Sequence, residues 1–222
     1  MIDMITTKLA VIFDMDGLLL DSERVYRKAF QSALAAFSIP PQDHIYELTI
    51  GLRYDASVEM MRSQLENMLD FEAFLIRLRR EQDLAFSQPI PVKKGVPEVV
   101  QLCVEAGIPF AVATSTHTST ARARLRTSGI GNHFDTVIGA DLVQHGNPEP
   151  DVYLKAAATL GIPPGSCIAF EDSDNGVRAA LAAGMMVVQV PDLKPPADDI
   201  LQMGHVVAKD IITGARKVLN AV

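Results

Sequence analysis

From Gly95 onward the sequence alternates helix-period segments with short apolar runs, and this alternation restricts the chain to a parallel α/β sheet. The helical pattern covers residues 97–106, 119–128, 150–160 and 175–183. The runs between and after them read as strands at residues 110–113, 136–138, 167–170, 185–190 and 205–207. Gly107, Gly129, Gly161 and Gly184 each follow a helical stretch and precede an apolar residue, where a left-handed C-cap turns the chain back toward a sheet. Strands that are apolar throughout, joined by helices, are strands covered on both faces.

Residues 9–13 supply one more buried strand, but the next strand of the pattern begins only at Phe110. A βαβ unit needs only about 30 residues, so a segment is inserted. Residues 22–87 contain helical stretches at 23–37, 55–69 and 71–86 with little strand character. The expected organisation is a Rossmann-like parallel sheet flanked by helices, built from residues 1–19 and 90–222, with an all-helical subdomain at residues 20–89. Its hinges are expected at residues 18–21 and 88–91, where Pro89 and Pro91 interrupt helix and central strand alike.

The net charge of -7 is spread along the chain, which argues against a nucleic-acid footprint and against attraction to anionic membranes. The longest apolar run, residues 179–188, is too short to span a bilayer. The expectation is a cytoplasmic protein acting as a monomer, with Cys103 and Cys167 as buried reduced thiols.

The chemistry begins at Asp14-Met15-Asp16-Gly17, where two carboxylates follow a buried strand, at the strand end where open α/β sheets place ligands. Thr114 and Ser115 follow a second strand, Pro148-Glu149-Pro150-Asp151 opens a helix, and Glu171-Asp172-Ser173 follows a third strand. Carboxylates gathered at Asp14, Asp16, Glu171 and Asp172 repel one another unless a cation is present, and an all-oxygen set suits Mg²⁺. Thr114 and the amides near Ser115 are placed to hold phosphate oxygens, since N–H groups at a helix start favour anions.

These motifs, together with Ala113-Thr114-Ser115 and Gly146-Asn147-Pro148-Glu149-Pro150-Asp151, stand in the order found in the haloacid dehalogenase superfamily. The chain resembles the branch with a helical cap after the first strand, which includes β-phosphoglucomutase and sugar-phosphate and pseudouridine-phosphate phosphatases. The resemblance implies hydrolysis of a phosphomonoester of a small metabolite, with Asp14 forming an aspartyl-phosphate and Asp16 acting as acid and then base. It further implies that Asp14, Asp172 and the backbone carbonyl of Asp16 hold Mg²⁺, with Glu171 in or behind that set. A sugar phosphomutase and a catalytically impaired, phosphometabolite-binding relative stand as alternatives.

One departure motivates the second alternative: the family usually has lysine where this chain has Asn147, and an amide donates a hydrogen bond without neutralising charge. Lys93, Lys94 and Lys155 are the nearby cations considered as substitutes. Arg53, in a segment resembling the cap's specificity turn, and His117, just past the phosphate turn, are expected to meet the substrate.

Overall fold

The computed structural model describes residues 9–219; residues 1–8 and 220–222, which the sequence reading assigns to the α/β unit, lie outside the described residues. Among the described residues the strands are β1 (Ala10–Phe13), β2 (Phe110–Ala113), β3 (Val137–Ile138), β4 (Cys167–Glu171), β5 (Met186–Gln189) and β6 (Val206–Val207). They form one six-stranded sheet in the order β3-β2-β1-β4-β5-β6. Every pairing is parallel, with Phe13 of β1 level with Val112 on one side and Phe170 on the other.

Helices α1 (Ser22–Ala35), α2 (Asp43–Glu47), α3 (Tyr54–Leu65) and α4 (Phe71–Ala85) lie between β1 and α5 (Val96–Glu105). The rest are α6 (Thr118–Thr127), α7 (Asp151–Leu160), α8 (Asp174–Ala182), α9 (Asp198–Leu201) and α10 (Ile211–Leu219). Side chains alternate across a strand, so β1 sends Val11 and Phe13 to one face and Ala10 and Ile12 to the other. The Val11 face packs on α5, α6 and α10, and Phe13 meets Phe170, Phe134 and Phe110 at ring-centroid distances of 5.6, 6.2 and 6.3 Å. The opposite face is rich in alanine, with Ala10, Ala111, Ala113 and Ala169 facing Ala156 and Ala157 of α7 and Ala180 of α8. Small side chains on both sides let these helices sit close to the strands.

The four inserted helices have an apolar cluster of their own. Phe30 of α1 stands edge-on to Phe74 of α4 at 5.9 Å, and Tyr46, Met61, Leu65, Phe71 and Leu78 pack around the pair. Asp70 caps α4 by accepting from the backbone N–H groups of Glu72 and Ala73, both at 3.1 Å.

The structure departs from the sequence reading at several elements. Helix α3 ends at Leu65 rather than at residue 69. The short helices α2 and α9 and the terminal helix α10 were not expected. Strand β4 runs one residue further than expected, pairing Glu171 with Gln189. Gly107, Gly129, Gly161 and Gly184 all take positive φ, and both cysteines are buried and free, in line with expectation. No helix of the described residues is long and apolar enough to cross a membrane.

Candidate active site

The in-register ends of β1, β2 and β4 bring Asp14, Thr114 and the Glu171–Asp172 pair to one edge of the sheet. Backbone bonds continue the ladders: Asp14 N donates to Phe170 O at 2.9 Å and Thr114 N to Ile138 O at 3.0 Å. The chain then turns tightly, with Gly17 at φ 88. A Cβ there would lie 2.1 Å from Asp172 Oδ2, so only glycine lets this loop lie against Asp172.

Asp14, Glu171 and Asp172 are buried, and each offers a carboxylate oxygen within 4.8 Å of the others. Burial pushes the Asp14 carboxyl well above the usual carboxylate range, and repulsion from Glu171, Asp172 and Asp16 adds to the effect. Asp172 is raised in the same way by burial and then by Glu171 and Glu23. Glu171 is raised by burial, against the pull of its hydrogen bonds. Tyr153 Oη donates to its Oε1 at 2.7 Å, while the amides of Asp172 and Ser173, both at 2.9 Å, and the Ser173 hydroxyl, at 3.1 Å, donate to its Oε2. A Cβ on Gly176 would lie 1.6 Å from Oε1, so that residue makes room for the carboxylate. Three acceptor-only groups buried this close fit a hard divalent cation, which would offset the charge that burial and mutual repulsion oppose.

The Asp16 side chain is not one of this trio. Thr116 and Thr114 donate their hydroxyls to Asp16 Oδ2 at 2.7 and 3.4 Å, and Arg124 Nη1 of α6 lies 3.5 Å from Oδ1. Glu23, at the start of α1, is buried beside the same loop; it accepts from Tyr46 Oη, and burial raises its pKa to about 7.

The inserted helices lean over these groups. Ser115 Oγ donates to Gly51 O at 3.3 Å and Asn175 Nδ2 to Ile50 O at 3.2 Å. The cavity between them, about 750 Å³, has Asp14, Asp16, Thr114, Ser115, Asn147 and Asp172 on one side and Tyr26, Phe30, Leu52, Met61, Leu78 and Phe86 on the other. Asn147 is buried and its Oδ1 has no hydrogen-bond partner.

The structure does not bring every expected residue inward. Arg53 is absent from the cavity wall: its guanidinium donates to Gln144 O at 3.0 Å and pairs with Asp55 at 3.4 Å, and its stem covers Gly146. His117 lies on the cavity wall, but its exposed ring caps α6, accepting from Ser119 N at 3.4 Å. Lys93 is held by Asp192 and lies 4.0 Å from Asp21, while Lys94 and Lys155 are exposed; none of the three lines the cavity. Conversely, Glu23, Thr116, Arg124 and Tyr153 reach the site without having been singled out in the sequence.

A parallel sheet with paired carboxylates after its first strand, two more at the end of its fourth and a helical insertion above them defines a class of α/β phosphoryl-transfer scaffold. Residues 9–184 match the haloacid dehalogenase-like hydrolase family, and the chain belongs to it. It is 32% identical over 176 residues to a phosphorylated carbohydrates phosphatase of Thermotoga maritima, covering 79% of this chain and 82% of that one. It is 33% identical over 185 residues to hexitol phosphatase B of Escherichia coli, covering 82% and 83% of the two chains. The crystal structure of a putative β-phosphoglucomutase from Thermotoga maritima superposes with a TM-score of 0.75 at 29% identity, over 96% of this chain and 99% of that one.

Proposed function

We propose that this chain is a Mg²⁺-dependent, cytoplasmic phosphatase of small sugar or polyol phosphates that works through an aspartyl-phosphate on Asp14. The observation that carries the reading is the contrast between two carboxylates on one loop. Asp14 is packed against Glu171 and Asp172, whereas Asp16 is held by threonine hydroxyls on the side facing the cavity. Such a division suits a nucleophile beside a group that moves protons.

In this reading, Asp14 attacks phosphorus, the bond from phosphorus to the ester oxygen breaks, and Asp16 gives its proton to the departing alkoxide. Asp16, now ionised, takes a proton from water, which attacks the phosphoryl group and frees Asp14. Thr114 and the backbone N–H groups after it hold the phosphoryl oxygens. Asp14, Asp172 and the backbone carbonyl of Asp16 would hold Mg²⁺, with Glu171 steadying the loop of Asp172 through its own hydrogen bonds. Bound there, Mg²⁺ supplies positive charge that offsets the phosphoryl oxygens. The helices of residues 20–89 serve as a cap that excludes water and supplies the wall that meets the sugar or polyol. Relatives that act on phosphorylated carbohydrates and hexitol phosphates support this choice of substrate.

The test is a screen of hexose, hexitol, pentose and nucleoside phosphates for release of inorganic phosphate, with Mg²⁺ and with EDTA. Release from a sugar or polyol phosphate that stops in EDTA supports the reading. Isomerisation of a sugar phosphate without phosphate release would replace it with a mutase, and binding without turnover would replace it with a sensor.

A further inference from the structure

The cavity holds one well-placed cation that the reaction outlined above does not use. Arg124 projects from α6 of the sheet-bearing unit, and its side chain is only 14% exposed. Its Nη1 donates to Tyr26 Oη of α1 at 2.5 Å, and the guanidinium carbon lies 3.9 Å above the Phe86 ring centroid and 5.0 Å from that of Tyr26. Both rings belong to the helical insertion and lie edge to face, with centroids 4.6 Å apart. The same Nη1 reaches Asp16 Oδ1 at 3.5 Å. Arg124 is therefore touched from above by two insertion side chains and from below by the proton-handling carboxylate.

We infer that Arg124 is a positioning residue that couples closure of the helical insertion to the orientation of Asp16. Thr116 and Thr114 hold Oδ2 from the sheet side, which leaves rotation of the carboxylate about its own axis to be fixed by a contact at Oδ1. Arg124 supplies that contact, and the guanidinium is itself aimed by Tyr26 and Phe86. With the insertion lifted away, the flexible arginine loses both guides, and Asp16 loses the contact that fixes the direction of its proton. Proton transfer requires the acid within hydrogen-bond reach of the leaving oxygen, so closure completes the acid as well as the enclosure.

The inference rests on the phosphatase reading and is tested by leaving-group chemistry. An alkoxide departs only with a proton, whereas p-nitrophenolate departs as a stable anion. Arg124→Ala, Arg124→Lys and Tyr26→Phe, each checked for an unchanged Tm, are compared with the wild-type chain in single turnovers on a hexose phosphate and on p-nitrophenyl phosphate. The expected result for Arg124→Ala is a roughly 10- to 100-fold loss in the rate of alcohol release from the hexose phosphate, a fraction of what general acid catalysis supplies. The nitrophenolate burst should fall less than about 5-fold, with Arg124→Lys restoring part of the loss and Tyr26→Phe showing the same pattern more weakly. Equal losses on both esters, or a rise in KM with kcat unchanged, would overturn the inference, the latter making Arg124 a substrate ligand. A wild-type chain that cleaves neither ester would overturn the phosphatase reading itself, and the inference with it.

Discussion

Asn147→Lys should raise turnover about 10²-fold. The side chain is buried on the wall of the cavity that Asp14, Glu171 and Asp172 also line, and its Oδ1 has no partner to lose. A longer side chain can extend into a cavity of about 750 Å³ without overpacking the interior. A unit positive charge about 5 Å from the reacting oxygens, at an effective dielectric of about 20, interacts by roughly 3 kcal/mol. About 1.4 kcal/mol corresponds to a tenfold change in rate, so a contact realised mainly in the transition state gives about two orders of magnitude. The loss on removing one oxyanion donor elsewhere is of the same size. The gain should appear in kcat more than in KM, because in the proposed reaction Thr114 and backbone donors engage the ground-state phosphate without it. The assay is steady-state phosphate release from one sugar phosphate under saturating Mg²⁺, with Tm measured for both chains. Equal kcat values in two equally folded chains would refute the reasoning, and would mean that an existing cation such as Arg124 already meets the charge.

Three further outcomes follow from the same geometry. Asp14→Asn should lower turnover at least ~10³-fold while raising the metal-free Tm, because it removes one of three mutually repelling buried carboxylates; retained turnover would exclude the covalent route. Glu23 has its carboxyl raised from 4.5 to about 7 by burial, so the folded chain holds a proton that the unfolded chain releases in that range. Its contribution to stability is complete below pH 4.5 and lost as pH rises to about 7. In EDTA, Glu23→Gln should therefore match wild type near pH 4.5 and exceed it by about 3 kcal/mol at pH 8, measured by urea unfolding; parallel pH profiles would contradict this. Gly176→Ala forces a methyl group onto Glu171 and should cost roughly 1–3 kcal/mol. It should also raise the Mg²⁺ concentration for half-maximal activity ~10- to 100-fold, and unaltered Mg²⁺ dependence would show that Glu171 does not steady the metal loop.

Much of this architecture is legible in the sequence, because the strands are mostly apolar runs with glycines after the helices between them. The distance from Phe13 to Phe110 likewise announces inserted helices, and helices α1 to α4 occupy that interval. Helices α2 and α9, of five and four residues, are too short to show a period. Helix α10 is disguised by Gly214, which looks like a breaker. The structure gives that glycine a packing role, since a Cβ there would meet Val188 Cγ1 at 2.6 Å. In the candidate site, Asp14, Thr114, Glu171 and Asp172 are legible because each closes or directly follows a strand. Arg124 and Tyr153 are not, since their roles depend on which helix packs over which loop. Arg53 errs in the other direction: its segment does reach the sheet-bearing unit, but its guanidinium is taken by the Gln144 carbonyl and Asp55.

The separate apolar cluster of the inserted helices bears on how the protein tolerates sequence change. Tyr26, Phe30, Met61 and Leu78 line the cavity and either form that cluster or pack against it, whereas Asp14, Thr114 and Glu171 stand at the ends of strands braced by the two clusters flanking the sheet. Substitutions at sites without shared neighbours are close to additive. Changes on the insertion's side of the cavity therefore draw mainly on the stability of the insertion, and the carboxylate-bearing side can stay fixed. Arg124 touches both, as do the Ser115–Gly51, Asn175–Ile50 and Arg53–Gln144 contacts, so these are the points where such change meets its constraint.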